Sequence, residues 1–172
     1  RPEEKNFHQA IQDQLKYLDN LIEQARRLYY NLSPGELEDL GLNTALASLI
    51  EEFCDNYPDI TSEVALPALD GLFDVLLQTT IYRLVQESLT NIGKHAEATK
   101  LKVWGSIDKH QLRLYIEDDG RGFNVSEVAQ NFHRGMGLSA MKERLHIING
   151  SLEIESQKGQ GTRLIFLIPY QK

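Results

Sequence analysis

Four side chains with complementary chemistry lie close together in residues 87–95. Glu87 and Asn91 are four residues apart, so on a helix they share one face, and Lys94 and His95 continue that face or its margin. A carboxylate, an amide oxygen and a cation suit a hydrated Mg²⁺ ion with phosphates, because the amide oxygen binds the metal and the cation balances phosphate charge. Taken alone, the segment is also typical of a solvated polar helix face.

Three glycine-rich points follow along the chain. Residues 118–122 read Asp-Asp-Gly-Arg-Gly, where a carboxylate can accept from an amino group while the glycines admit a flat ring; the alternative is a plain acidic turn. Residues 135–139 precede a helix, so free backbone N–H groups there suit phosphates. With Ala140 they also spell a dinucleotide fingerprint, which we reject because a polar loop, not a strand, precedes it. Residues 159–162 alone predict only a hairpin turn.

The apolar periodicity predicts the helices and strands that must position these polar and glycine-rich segments. Asn43 is expected to cap a helix over 44–56, and a longer central helix is expected over 72–95. Strands are expected over 60–66, 100–107, 111–117, 151–156 and 162–169, and a last helix over 138–148, ended by Asn149 and Gly150. The inner face of the central helix is expected to carry Leu76, Leu77, Thr80, Ile81, Leu84, Val85, Ser88, Leu89 and Ile92. Together these elements predict helices on one side of a mixed, mostly antiparallel sheet.

An amphipathic stripe over residues 10–28 predicts a separate long helix before the break at 32–35. We interpret it as half of a helical hairpin or dimeric bundle, the alternative being a helix that folds back on the domain behind it.

Composition excludes several classes of protein. The formal net charge of -7 argues against a nucleic-acid binder, whose affinity would come from basic patches. The single cysteine excludes a disulfide scaffold and a cysteine-based zinc site. No apolar run reaches the roughly 18 residues that a membrane-spanning helix needs, so we expect no membrane contact by this chain.

The four points in this order resemble the ATP-binding catalytic domain of histidine kinases, in the superfamily that also holds gyrase, MutL and heat-shock chaperone ATPases. Residues 87–95 resemble the N box, and Asp118-x-Gly120-x-Gly122, Gly135-x-Gly137-Leu138 and Gly159-x-Gly161-Thr162 resemble the three glycine boxes. Residues 32–46 and 141–144 are similar to the nitrate-sensor and desaturase-sensor subgroup. The resemblance implies a Bergerat-type α/β two-layer sandwich over 35–172, preceded over 1–34 by the second helix of a dimerisation bundle.

The resemblance also implies a role for individual residues. Asn91 is expected to bind Mg²⁺, Lys94 to contact phosphate, and Glu87 to act as a base or to orient groups near the γ-phosphate. Asp118 is expected to hold the adenine amino group, with Thr162 assisting through a water, and residues 123–136 to form a mobile lid. The expected ATP-binding set is Asn91, Lys94, His95, Asp118, Gly120, Gly122, Arg134, Gly135, Met136, Gly137, Leu138 and Thr162.

The phosphoacceptor histidine of such kinases is not expected in this chain. His8 has no following carboxylate, so we expect the chain to start after the acceptor helix and not to phosphorylate itself. The resemblance implies a homodimer, a response regulator with a helix-turn-helix output domain, and a cytoplasmic location, either free or as part of a membrane-anchored sensor. The alternatives are an ATP-hydrolysing clamp, a serine/threonine kinase on the same fold, and a non-catalytic module switched by nucleotide.

Overall fold

In the part of the chain that the structure describes, five strands, numbered in chain order, form one sheet in the order β1-β2-β3-β5-β4. The fold comes from a computed structural model that describes residues 37, 40–108, 110–126 and 136–170. β1 runs parallel to β2, and the other three neighbouring pairs are antiparallel, so the expected mixed sheet with two hairpins is confirmed. The strands are β1 (Thr61–Ala65), β2 (Lys100–Ile107), β3 (Gln111–Asp118), β4 (Ser151–Ser156) and β5 (Thr162–Pro169).

Within the described residues, the sheet is accompanied by three α-helices: α1 (Leu42–Asn56), α2 (Val75–Asn91) and α3 (Met136–Ile147). Along β2, β3 and β5, alternate side chains are buried, as period-two strands with one covered face require. The buried set comprises Leu101, Val103, Leu112, Leu114, Ile116, Leu164, Phe166 and Ile168. It shares one core with apolar side chains of all three helices, so the expected two-layer α/β architecture is confirmed.

The central helix α2 is shorter than its periodicity predicts. It starts after Asp74, whose carboxylate caps it by accepting from the backbone N–H of Leu77 at 2.8 Å. It ends at Asn91 and continues as a π-helical turn over Ile92–Ala96. The expectation that Leu76 faces inward is wrong: it is 56% exposed, and the buried residues of α2 begin one turn later, at Thr80.

The expected capping of α1 by Asn43 is also wrong. Gly41 occupies the cap position with a φ of 81°, and Asn43 lies inside the first turn. Its side chain accepts from the N–H of Leu69 at 2.7 Å and donates to the carbonyl of Pro67 at 2.9 Å. In return Asp70 accepts from the N–H of Asn43 at 3.0 Å. The loop over 67–70, distant in sequence, therefore accepts from a free backbone N–H at the start of α1. The same hydrogen bonds fix the position of the loop that leads into α2.

Helices α1 and α2 run in the same direction. The loop over 67–70 bonds to the start of α1 and leads into the start of α2. Just beyond the ends of the two helices, Tyr57 contacts Gly93. A Cβ at position 93 would lie 2.5 Å from Cζ and the hydroxyl oxygen of Tyr57, so glycine is what allows this approach. Tyr57 thereby supports the π-helical turn from the α1 side.

The end of α3 follows the predicted stop signal. Asn149 adopts a φ of 54°, and the N–H of Gly150 donates to the carbonyl of Leu145 at 2.7 Å. None of the helices in the described part of the chain is long and apolar enough to cross a membrane. The predicted N-terminal helix over 10–28 and the break at 32–35 lie outside the described residues.

Candidate nucleotide-binding site

The start of α3 packs against the last turns of α2. Glu87 and Asn91 are both half-buried, one turn apart. A Cβ built at Gly137 would overlap Oε1 of Glu87 and lie 3.3 Å from both Oδ1 and Nδ2 of Asn91. The N box and the second glycine box are thus brought together by direct contact, and the missing Cβ of Gly137 allows the start of α3 to approach a carboxylate and an amide this closely.

The π-helical turn carries Lys94 and His95, both exposed. Glu97 closes the turn with a φ of 54°, in the left-handed region. Burial, followed by the positive charges of Lys94 and Arg121, lowers the pKa of His95 below the ordinary 6.5 of histidine. Uncommon π-helical turns are frequent at functional sites, and this one places two nitrogen-bearing side chains just beyond Asn91.

Asp118 ends β3 as a carboxylate that is only 6% exposed. Its Oδ1 accepts from the N–H of Gly120 at 2.9 Å. Burial raises the pKa of Asp118, while hydrogen bonds from the N–H groups of Gly120 and Thr162 act in the opposite direction. A buried acceptor at a strand end is suited to an amino group that brings its own hydrogen-bond donors.

The neighbouring Asp119 has a different, structural task. Its carboxylate accepts from the N–H and the hydroxyl of Thr99 and from the N–H of Lys100, each at 2.8 Å. Burial acts to raise the pKa of Asp119, but these bonds outweigh it and the pKa lies below the ordinary value. Asp119 therefore fastens the 118–122 loop to the start of β2.

The first glycine box packs directly on the π-helical turn. A Cβ at Gly120 would overlap the carbonyl oxygen of Ala96, and the same oxygen accepts from the N–H of Arg121 at 2.7 Å. Asp118, bonded to Gly120, is thereby linked to the element that carries Lys94 and His95.

The turn between β4 and β5 packs on the other side of this loop. Gly122 has a φ of 55°, and a Cβ there would overlap the carbonyl oxygen of Gln157. Gly161, with a φ of 74°, lies against the carbonyl oxygen of Asp118. The N–H of Gly159 donates to the carbonyl of Arg121 at 2.6 Å. The third glycine box is therefore a brace for the first, which requires glycine at both contact points.

A row of three polar side chains crosses β3, β5 and β4 on the core-facing side. Asp118 pairs with Thr162, and Thr162 pairs with Ser156. The hydroxyl oxygens of Ser156 and Thr162 are 3.0 Å apart, and Ser156 also accepts from the N–H of Phe123 at 2.9 Å. A cavity of about 360 Å³ opens at this end of the sheet, lined by the three residues of the row and by Glu117, Glu155 and Arg163 from the opposite face of the sheet.

Sequence reasoning missed Ser156. The signal was present in the register: counting back from the turn over 157–161 places Ser156 opposite Thr162 on one sheet face.

Most predicted site residues lie in the described part of the chain. Leu138 is half-buried in the first turn of α3 and packs against the core, and Met136 is the first residue of that helix. Arg134 and Gly135 lie outside the described residues, as do His8, His133 and most of the expected lid.

The chain belongs to the family of histidine kinase-, DNA gyrase B- and HSP90-like ATPases, whose sequence profile matches residues 77–172. Over 146 residues it is 36% identical to the sensor histidine kinase LiaS of Bacillus subtilis (strain 168). That match covers 84% of this chain and 38% of LiaS, so the chain spans well under half of this relative.

Two solved structures are similar in fold. The histidine kinase domain from the Erythrobacter litoralis EL346 blue-light activated histidine kinase matches with a TM-score of 0.58 and 25% identity, covering 73% of this chain and 60% of that one. The ATP binding domain of PrrB from Mycobacterium tuberculosis matches with a TM-score of 0.59 and 21% identity, covering 75% and 93%. The family profile and the match to LiaS confirm the predicted ATP-binding domain of the histidine-kinase class, and the two structures confirm its fold; the narrower subgroup stays a prediction.

Proposed function

We propose that this site binds ATP with Mg²⁺ and that the longer protein uses it to transfer the γ-phosphoryl group to a histidine. The observation that carries the proposal is the packing of Gly137 against Glu87 and Asn91. It places a helix start beside an amide and a carboxylate, while the contact of Gly120 with Ala96 links the same region to the buried Asp118.

The base-binding end consists of Asp118, Gly120, Gly122 and Thr162. The carboxylate of Asp118 accepts from the adenine amino group, and Thr162 assists through a water. The two glycines have no Cβ, so a flat ring can approach the backbone at this point.

The phosphate-binding end consists of the last turn of α2, the π-helical turn and the start of α3. Asn91 supplies an amide oxygen for Mg²⁺, and Lys94 and His95 supply nitrogen groups for phosphate oxygens. The free N–H groups at the start of α3 favour anions, and we assign Met136, Gly137 and Leu138 to the phosphate contacts together with Gly135, which lies outside the described residues. Arg134 completes the proposed phosphate contacts.

The residues present fit a magnesium–phosphate group. Because Gly137 has no Cβ, the start of α3 lies directly against the carboxylate of Glu87 and the amide of Asn91, and these side chains carry the kind of oxygen ligand that Mg²⁺ prefers. Bound Mg²⁺ supplies neutralisation of phosphate charge.

Transfer requires positioning more than covalent chemistry from this chain. A nitrogen of the acceptor histidine forms a bond to the γ-phosphorus, and the bond from that phosphorus to the bridging oxygen breaks, releasing ADP. Glu87, next to Gly137, orients groups near the γ-phosphate.

The wider assembly follows the same proposal. We propose that residues 1–34, which lie outside the described residues, correspond to the second helix of the dimerisation bundle and residues 35–172 to the catalytic domain. The acceptor histidine lies on a helix outside this chain, in a homodimer, and a response regulator with a helix-turn-helix output domain receives the phosphoryl group. We place this chain in the cytoplasm, free or as part of a membrane-anchored sensor.

Asp118→Asn tests the proposal, because it keeps the shape of the side chain but removes the charge of the buried acceptor. We expect Mg–ATP affinity, measured by titration calorimetry, to fall by about a hundredfold or more. Asp59→Asn, at an exposed turn, is the matched control and should leave affinity unchanged. Undiminished ATP binding by the Asp118 variant would contradict the base-binding assignment.

The contact between Glu87 and Gly137 also favours a second candidate, an ATP-hydrolysing clamp, because it places a carboxylate where a base could activate water. Steady ATP hydrolysis by the chain alone, abolished in Glu87→Gln, would support the clamp. Transfer to a separately supplied acceptor helix, with negligible hydrolysis, supports the kinase. Binding without either reaction would favour a non-catalytic switch.

A further inference from the structure

Ser156 joins three parts of the base-binding end. Its Oγ accepts from the N–H of Phe123 at 2.9 Å, donates to the carbonyl of Gly161 at 3.0 Å, and lies 3.0 Å from Oγ1 of Thr162. Phe123 opens the segment that leaves the first glycine box, and Gly161 belongs to the third. None of the roles assigned above uses this serine.

Counting protons decides the direction of the Ser156–Thr162 bond. A serine hydroxyl has one proton and two lone pairs. The carbonyl of Gly161 has no proton, so the Ser156 proton must be used there for that 3.0 Å contact to be a hydrogen bond. Phe123 then donates to one lone pair of Ser156, and Thr162 must donate to the other.

This arrangement commits the only side-chain proton of Thr162. The Thr162 hydroxyl can therefore only accept a hydrogen bond from a ligand, and the same holds for the ionised carboxylate of Asp118. The N–H groups of Gly120 and Thr162 are already used by Asp118. A water that donates its two protons to Asp118 and Thr162 can only accept from a ligand. A site that contains this water therefore still favours a ligand group that donates.

We propose that Ser156 is a specificity-determining positioning residue that fixes the Thr162 hydroxyl as an acceptor. The base-binding end then selects a purine whose amino group faces Asp118 and Thr162, such as adenine, over one that places a carbonyl oxygen there, such as guanine. This inference rests on the proposed ATP site.

The test compares Mg–ATP and Mg–GTP affinities by titration calorimetry in the wild type and in Ser156→Ala. The variant frees the Thr162 hydroxyl to donate, so the ratio of ATP to GTP affinity should fall about tenfold. Ser151→Ala, at the exposed opposite end of β4, is the matched control and should keep the wild-type ratio. An unchanged ratio in Ser156→Ala, with or without a loss of thermal stability, would overturn the inference.

Thr162→Val gives a second measurement that leaves the bonds of Ser156 to Phe123 and Gly161 in place. It should lower the same ratio, and the double variant should lower it no further than Thr162→Val alone, because Ser156 acts through Thr162. Independent, multiplying losses would contradict the inference. A wild type that binds neither nucleotide would instead refute the proposed ATP site.

Discussion

Gly137→Ala separates the function of the site from the stability of the fold. Gly137 lies in the first turn of α3 without a positive φ, so its backbone accepts alanine. The added methyl group would overlap Oε1 of Glu87 and approach both terminal atoms of Asn91 to 3.3 Å. It therefore displaces the two side chains that we place beside the phosphates and the metal.

The magnitudes follow from these contacts. The flexible end of the Glu87 side chain can move aside, and alanine is favoured over glycine in a helix by up to about 1 kcal/mol, so the free energy of unfolding should change by about 1 kcal/mol or less. Asn91 must shift by a few tenths of an ångström, and misplacement on the scale of 1 Å in such a site weakens function by about a hundredfold. We expect Mg–ATP affinity to fall by about ten- to a hundredfold, which is about 1.4 to 2.8 kcal/mol.

Calorimetric titration with Mg–ATP measures the affinity, and urea denaturation without nucleotide measures stability. Ser139→Ala, exposed on the same helix, controls for the change in helix propensity. The reasoning is refuted if Gly137→Ala binds ATP as tightly as the wild type. It also fails if binding is lost only together with a large loss of stability in the free protein.

Three further predictions concern neighbouring residues. Asn91→Ala should make ATP affinity insensitive to removal of Mg²⁺ by EDTA, whereas the wild type should lose affinity; an equal loss in both would exclude Asn91 as a metal ligand. The free-state pKa of His95 is lowered by burial, and a neighbouring phosphate should raise it, so ATP binding takes up a proton and tightens as pH falls toward the free-state pKa, which lies below the ordinary 6.5. Adenosine, measured over the same pH range, should not show that tightening, and neither should ATP with His95→Gln. Gly93→Ala should weaken ATP binding severalfold by displacing Tyr57, and Tyr57→Ala in the same chain should restore it; no restoration would mean that Tyr57 does not support the turn.

Elements with strong local patterns could be predicted from the sequence. β4 alternates apolar and polar residues and β5 carries a continuous apolar run, and turn-forming residues separate the two strands, so β4 and β5 were predicted to the residue. The stop after α3 was predicted because Asn149 and Gly150 tolerate or permit the left-handed backbone that ends a helix.

Features that depend on distant contacts could not be predicted. Asp70 bonds to the start of α1 from 27 residues away, so a local capping rule chose Asn43 instead. The apolar period of α2 continues to Ile92, and nothing in that period indicates the change to a π-helical turn.

The candidate site was predictable in its residue types but not in its internal contacts. Asp118 was singled out because it follows an apolar strand and precedes two glycines. That Gly161 braces its backbone, or that Ser156 binds Thr162, depends on the pairing of strands far apart in the chain.

The structure of this chain bound to Mg²⁺ and a non-hydrolysable ATP analogue tests the central claim most directly. We predict that the adenine amino group lies against Asp118 and that the phosphates and the metal lie between Asn91 and the start of α3. A nucleotide bound elsewhere, or one that reaches Asp118 while its phosphates point away from Asn91 and Gly137, would contradict the claim.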